Sequence, residues 1–280
     1  MYQHPTNDAL EANSRPFLKW AGGKQRLLQD IKARLPHGKR LIEPFLGAGS
    51  VFLGSSYPSY LLGDANPDLM AVWSALQNRP REFIERSSEL FNASKCTAEA
   101  YYGLRNEYNQ LSDRFERAVL FVYLNRFGFN GIYRVNSKGK FNTPFGRPVT
   151  TPHFPWDELK SAADKLQLAT LHAGGFRFLM EEAGEGDVVY CDPPYSDFDR
   201  ASFTAYTQSG FRVAQHEELC CLARDASERG AVVVVSNHDS EHTRTLYSGW
   251  TIHELEVRRS VAGAPGSRGM SREVLAVLRG

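Results

Sequence analysis

Asp192-Pro193-Pro194-Tyr195 sets a carboxylate, two prolines and a phenol directly after the apolar run Val188-Val189-Tyr190-Cys191. The run reads as a strand, so the carboxylate stands at a strand's carboxyl end. The prolines lack N–H donors and fix φ, which leaves a rigid turn presenting carbonyl oxygens. One kind of substrate group suits such a strip. An exocyclic aromatic amine is a weak nucleophile because its lone pair is delocalised into the ring, and its two N–H bonds can be accepted by a carboxylate and a fixed carbonyl. Holding both orients the nitrogen and favours the charge that builds on it, by positioning and electrostatics rather than covalent catalysis. Tyr195 offers a flat face for stacking, and a base inside a duplex reaches such a pocket only by rotating out of the stack. Taken alone, the four residues fit equally well a plain strand-to-loop turn in which Asp192 caps a neighbour.

Three further segments carry polar chemistry. Glu43-Pro44-Phe45-Leu46-Gly47-Ala48-Gly49-Ser50 reads as strand, tight turn, helix. A dinucleotide fingerprint needs a third glycine where Phe52 stands, which argues against NAD or FAD. Two glycines still let the backbone approach a methionine and ribose, with Asp64 at the next strand end able to take ribose hydroxyls. Phe17-Leu18-Lys19-Trp20-Ala21-Gly22-Gly23-Lys24 packs two cations, an indole and a glycine pair together. It fits either a helix cap with Trp20 as a core anchor or a ligand-binding segment. Ser236-Asn237-His238-Asp239 follows the valine run 232–235, at the sheet edge shared with Asp192 and Asp64; a lone His238 is more often structural than catalytic.

The elements that must position these groups alternate. Strands are expected at 41–45, 60–62, 168–172, 187–191, 231–236, 249–255 and 274–278, with helices at 66–77, 156–167 and 213–229 and a helical, strand-free stretch from 79 to 125. Residues 127–155, rich in Gly, Asn, Pro and Thr between aromatics, form a long irregular or hairpin-containing segment of the kind that is usually functional. The pattern predicts an α/β fold: a doubly wound, mainly parallel sheet with helices on both faces and ligands at the carboxyl ends of its strands.

The chain of 280 residues is 42% apolar and 23% charged, ordinary for a folded globular protein. No apolar run approaches the roughly 20 residues that span a bilayer, and residues 1–13 are polar rather than signal-like, so the expected location is the cytoplasm. The cysteines, Cys96, Cys191, Cys220 and Cys221, contain no CxxC pair, so neither a metal site nor a disulfide framework is expected. The net charge is +1, yet residues 126–147 hold five cations (Arg126, Arg134, Lys138, Lys140, Arg147) and no acid. Phe127, Phe129, Tyr133, Phe141 and Phe145 lie between them. A second acid-poor stretch holds Arg258, Arg259, Arg268 and Arg272, with Glu273 its only acid. Lys138 and Lys140 fit solvated turn charges as well as phosphate contacts, and Phe127, Phe129 and Phe145 fit anchors of a hairpin to the core.

In their order, FLKWAGGK at 17–24, EPFLGAGSVFL at 43–53, LNRFGFNG at 124–131, FNTPFGR at 141–147, YCDPPY at 190–195, FTAY at 203–206 and SNHD at 236–239 carry a resemblance. The chain resembles the Dam family of DNA adenine-N6 methyltransferases, of the α group, from about Arg15 to the C-terminus. The resemblance implies a class I S-adenosyl-L-methionine-dependent methyltransferase fold, S-adenosyl-L-homocysteine as product, and double-stranded DNA as partner, with methylation inside GATC. It implies a catalytic domain over 15–65 and 165–280 and an inserted, mostly helical target-recognition domain with a hairpin over 66–164. Trp20, Ala21, Gly22, Lys24, Phe45, Gly47, Gly49, Asp64 and Asp192 would surround the cofactor. Asp192, Pro193, Pro194 and Tyr195 would handle the flipped adenine, and Lys19, Asn130, Ile132, Arg134, Asn142 and Arg147 would contact DNA. No metal, membrane or obligate protein partner is implied, and the enzyme would associate with the nucleoid when on DNA. Many family members carry Tyr at the positions of Phe127, Phe129 and Pro148, so contacts needing those hydroxyls are absent. Methylation of another sp² amine, such as cytosine N4 or RNA adenine, and a catalytically silent DNA-binding module remain the alternatives.

Overall fold

The computed structural model describes residues 15–194, 211–258 and 270–280. The strands are β1 (Arg40–Glu43), β2 (Tyr60–Asp64), β3 (Ala169–Ala173), β4 (Asp187–Cys191), β5 (Val232–His238), β6 (Thr251–Arg258) and β7 (Met270–Leu278), ordered β3-β2-β1-β4-β5-β7-β6. β1 runs parallel to β2 and β4, and β4 parallel to β5; β7 is antiparallel to both β5 and β6. This is the expected mainly parallel α/β sheet, with an antiparallel pair at one edge, a common variation in doubly wound folds.

Over their described residues the chain forms two compact units. One draws on Met1–Arg26, Leu46–Ser56 and Asp64–Gly174, the other on Leu27–Phe45, Tyr57–Gly63 and Gly175–Gly280.

The second unit holds the central strands. β4 is buried at every position and β5 at all but its ends, as a strand covered on both faces requires. Ile42, Val189, Cys191, Val233, Val235 and Ala276 form a core with Leu179 and Met180 and with Leu219 and Ala223. β5 extends two residues beyond the expected strand because β7 continues the ladder, pairing Ser236 with Leu275, Asn237 with Val274 and His238 with Glu273. Ser236-Asn237-His238 therefore lies within the strand and not after it.

Helices dominate the first unit: α2 (Ser50–Gly54), α3 (Pro67–Asn78), α4 (Pro80–Ser88), α5 (Ala98–Tyr108), α6 (Arg114–Phe127) and α7 (Trp156–Leu166) follow α1 (Leu28–Lys32) of the other unit. Their starts are written in the chain. Asn66 accepts from Asp68 N and Leu69 N with Pro67 at the first turn, Thr97 accepts from Ala100 N, and Asp113 accepts from Phe115 N and Glu116 N. α6 is buried on all sides from Ala118 to Asn125, which makes it the axis of the unit.

Three helices escape the sequence reading, α1, α8 (Phe176–Glu181) and α10 (Glu241–Leu246), while α9 (Val213–Glu228) matches it. Five or six residues are too few to show a helical period. Segment 17–24 forms turns and not a helix; the first described helix begins at Leu28. Among the described residues no helix is long and apolar enough to cross a membrane, and all four cysteines are free.

Candidate functional site

In the first unit the glycine turn is built around Asp64. Gly47 N donates to Asp64 Oδ2 at 3.0 Å and Asn66 N donates to Oδ1 at 2.9 Å. Trp73 Nε1 donates to Gly47 O at 3.1 Å, so both sides of that residue's backbone are already held. Gly49 sits at φ 70° as the residue before α2, and a Cβ there would lie 2.9 Å from the Trp73 ring. Any side chain would meet both a left-handed backbone and an indole. Burial pushes the Asp64 carboxyl up, against the two N–H bonds that favour its charge. A carboxylate has about four lone-pair sites, so accepting two N–H bonds leaves it acceptor capacity.

Trp20 packs along this turn, its Cδ1 3.1 Å from where a Gly47 Cβ would stand. Its indole is half-buried, stacked at 6.3 Å on Phe121 and tilted at 5.9 Å on Tyr133. Ala21 and Gly22 are exposed on the turn that follows, and Lys24 is buried with Nζ donating to Gly22 O at 3.2 Å. Trp20, Gly47, Gly49 and Asp64 are thus brought together, with Ala21, Gly22 and Lys24 on the adjoining segment.

In the second unit Asp192 follows β4 directly. Ser236 Oγ donates to Asp192 Oδ1 at 2.8 Å, and Tyr190 OH donates to Ser236 Oγ at 3.1 Å. Pro193 is buried and Pro194 exposed, while Tyr195 and the 203–206 segment lie outside the described residues. Phe45, two residues past β1, stacks on Phe176 at 5.5 Å and meets Phe211 edge-on at 5.5 Å. His216 on α9 is fully buried, 4.6 Å from Phe211. Burial first, then His242, push its pKa down to about 4 against the opposing pull of the Pro194 backbone.

Residues 126–147 form a loose hairpin in the first unit, with antiparallel bridges pairing Gly128 with Phe145 and Val135 with Phe141. Its aromatics divide. Phe127 is buried at 4.2 Å on Tyr123, Phe141 packs on Tyr108 and Phe145 on Tyr101. Phe129 is 49% exposed, so it does not anchor the hairpin. Asn109 brackets Phe141, accepting from its N at 2.8 Å and donating to its O at 2.9 Å. Tyr133 OH donates to Asp68 Oδ2 at 2.8 Å, and Arg117 Nη2 lies 2.7 Å from Oδ1. Burial opposes the Asp68 charge, but the bonds from Arg117 and Tyr133 help outweigh it and hold the carboxyl below its ordinary range.

Fixed in this way, the hairpin exposes Asn130, Ile132, Arg134 and Arg147. Asn130 and Arg147 adopt positive φ, 53° and 49°. Half-buried Asn142 braces Arg134, accepting from Nε at 2.7 Å with its side chain and from Nη2 at 3.1 Å with its carbonyl.

Lys19 joins this group through a residue the sequence reading missed. Buried Asn125 accepts from Lys19 N at 2.9 Å and donates to Lys19 O at 2.7 Å and Gly131 O at 3.0 Å. Gly131, at φ 66°, has no room for a side chain because its Cβ would stand 2.4 Å from that of Lys19. A lone amide closing the apolar run Ala118–Leu124 was the signal, since a buried amide must find partners. Burial and the charge of Arg126 lower the Lys19 pKa.

Comparison with known proteins covers most of the chain. The family described as "D12 class N6 adenine-specific DNA methyltransferase" matches residues 20–261. The chain is 44% identical over 267 residues to the DNA adenine methylase of Escherichia coli strain K12, covering 95% of this chain and 96% of that protein. It is 44% identical to the DNA adenine methylase of Salmonella typhi over 94% of this chain and 95% of that one. The corresponding Vibrio cholerae enzyme (El Tor Inaba N16961) is 41% identical over 94% of this chain and 95% of its own length.

Proposed function

Because the chain belongs to the D12 class of N6 adenine-specific DNA methyltransferases, we propose that Asp192 with the Pro193-Pro194 backbone holds the N6 amino group of an adenine rotated out of duplex DNA, within GATC. The enzyme methylates adenine N6 in DNA with S-adenosylmethionine as donor. The observation that carries the residue assignment is the placement of Asp192. Its carboxylate stands at the carboxyl end of a central, fully buried strand, one oxygen held by Ser236 and two prolines following.

Adenine N6 carries two hydrogens and a delocalised lone pair. The Asp192 carboxylate accepts one N–H and a carbonyl of the proline turn the other, which turns the nitrogen's remaining density toward its partner and stabilises the positive charge that grows on it. Tyr195 supplies a face against which the extruded base stacks. As the N–C bond forms, the methyl's bond to sulfur would break, leaving a neutral thioether. One of the two N6 hydrogens is lost as a proton to water, so the amine is neutral again.

The donor's residues fit the group it must hold. S-adenosylmethionine, when bound, supplies an electrophilic methyl on a sulfonium. Asp64 suits a ribose diol, being half-buried with acceptor capacity beyond its two N–H bonds, and half-buried Trp20 offers an aromatic face beside the Gly47–Gly49 turn. Ala21, Gly22, Lys24, Phe45 and Asp192 complete the proposed cofactor set.

For the DNA, Arg134 is the proposed reader of a guanine edge, braced by Asn142, and Lys19 a second base-edge contact. Asn130, Ile132 and Arg147 extend that surface. Residues 66–164 then act as the target-recognition domain and 15–65 with 165–280 as the catalytic domain. With DNA as substrate, the place of work is the cytoplasm, at the nucleoid.

The test is to treat unmethylated duplex DNA with the protein and S-adenosylmethionine and to sequence it with detection of N6-methyladenine at base resolution. The expected result is modification of the adenine in GATC. Methylated adenine in other contexts would overturn the site, and loss-free turnover by Asp192→Ala would overturn the catalytic assignment.

A further inference from the structure

Tyr190, Ser236 and Asp192 form a chain of hydrogen bonds that runs one way, from the phenol through the hydroxyl to the carboxylate. The sheet makes the alignment. β4 and β5 are parallel with Tyr190 beside Val234 and Cys191 beside Val235, so the next step in register brings Asp192 beside Ser236. Tyr190 and Asp192, two residues apart, share a face.

The residue types are costly where they stand. Tyr190 is 2% and Ser236 1% exposed, beside the valines and the cysteine of their strands. A buried hydroxyl without a partner is unfavourable, while an apolar pair of the same shape is nearly neutral. If the two hydroxyls served only each other, the paired changes Tyr190→Phe and Ser236→Ala would leave an equally good sheet.

What the pair adds is its far end. Ser236 accepts from Tyr190, which leaves its single proton for the Asp192 carboxylate it donates to, and bonds linked in this manner polarise one another. Burial and the Asp192 charge push the Tyr190 phenol well up, so it remains a donor.

We infer that Tyr190 and Ser236 are positioning residues that fix the plane of the Asp192 carboxylate for the methyl-transfer step, with Ser236 acting directly and Tyr190 only through Ser236. The inference rests on the assignment of Asp192 as the amine acceptor. Its functional content is that the relay serves the transition state, where the amine geometry matters, and not the binding of either substrate.

The experiment uses the full chain with Ser236→Ala, Tyr190→Phe, the double variant and Asp192→Ala. Single-turnover methylation of a GATC duplex is measured beside equilibrium binding of S-adenosylmethionine and of DNA, and beside the melting temperature. Ser236→Ala is expected to lower the single-turnover rate about ten- to a hundredfold, in line with a hydrogen bond to a charged group, with both dissociation constants within about twofold of the wild type. Tyr190→Phe is expected to lose about three- to tenfold, and the double variant to lose no more than Ser236→Ala. Because Tyr190→Phe leaves the Ser236 bond to the carboxylate in place, it reads the relay even if Ser236→Ala melts early.

An unchanged rate in Ser236→Ala, or a Tyr190→Phe loss that persists in full on the Ser236→Ala background, would overturn the relay. A loss confined to binding or to melting temperature would reduce both residues to structural ones and overturn it equally. If Asp192→Ala turns over normally, the catalytic assignment itself falls, whatever the relay variants do.

Discussion

The strand end at Asp192 and the hairpin at 126–147 solve the problem of holding a polar side chain in opposite ways. Asp192 is fixed by regular structure: two parallel strands in register and a hydroxyl one step along the neighbouring strand. The hairpin has only two isolated bridges, and its shape comes from side-chain bonds to fixed partners: Asn109 on Phe141, Asn125 on Lys19 and Gly131, Tyr133 on Asp68. On the proposed assignment, the chemistry of methyl transfer is mounted on a sheet. Recognition, on that same assignment, is mounted on a loop whose few anchors leave its outer face open to change.

The contrast can be broken most sharply at its strongest point. Asp192→Ala is expected to lower single-turnover methylation by about a thousandfold, with cofactor and DNA binding still measurable by titration. Equal weakening of DNA binding would mean that the two regions do not divide chemistry from recognition.

Arg134→Ala should act on the other side, relaxing discrimination between GATC and singly altered sites by roughly 1–3 kcal/mol, while Asp192→Ala leaves discrimination in binding intact. Competition binding on cognate and altered duplexes reads this directly. The same loss on cognate and scrambled DNA would remove Arg134 from base readout.

Acid should loosen the two regions in sequence. His216 is held neutral at a pKa of about 4 against an ordinary 6.5, so the unfolded chain binds the proton more readily. The stability it contributes is full above pH 6.5 and lost progressively as pH falls toward 4. Asp68 is depressed below its ordinary 3.8, so its contribution is complete above that value and is lost only below it. Melting curves across this range should therefore show an early slope that His216→Gln removes, and hydrogen exchange at Tyr133 and its neighbours should rise only at the acid end.

The smallest effect is expected at the hairpin tip. Lys138→Ala or Lys140→Ala should weaken binding alike on all sequences and lower the salt slope by about one each. A sequence-dependent loss would move the tip from phosphate contact to base contact.

Regular structure was also what the chain disclosed before folding. The valine run of β5 and the Val-Val-Tyr-Cys of β4 announce buried parallel strands, and Asn66-Pro67, Thr97 and Asp113 mark helix starts by capping chemistry that is local. Asp192, Gly47, Gly49 and Asp64 were legible because each ends a legible strand or opens a legible turn. Ser236 was legible as a motif but not as a partner of Asp192, since register decides that pairing. Asn125 and Asp68 were not legible as anchors at all. Lys19 stands 106 residues from Asn125 and Tyr133 65 from Asp68, and no local period encodes such distances. The six-residue helices α8 and α10 fell below the length at which a period shows.

Trp73 and Trp20 flank the same glycine turn, one sealed at 0% exposure and bonded to Gly47 O, the other half-buried. In optical terms the turn has a built-in reference and a built-in sensor. If the cofactor binds there as proposed, it would displace water from the Trp20 indole and shift or quench its emission, while Trp73 keeps its surroundings. Trp20→Phe should then silence the fluorescence response to S-adenosylmethionine, so cofactor occupancy can be followed in the unlabelled protein.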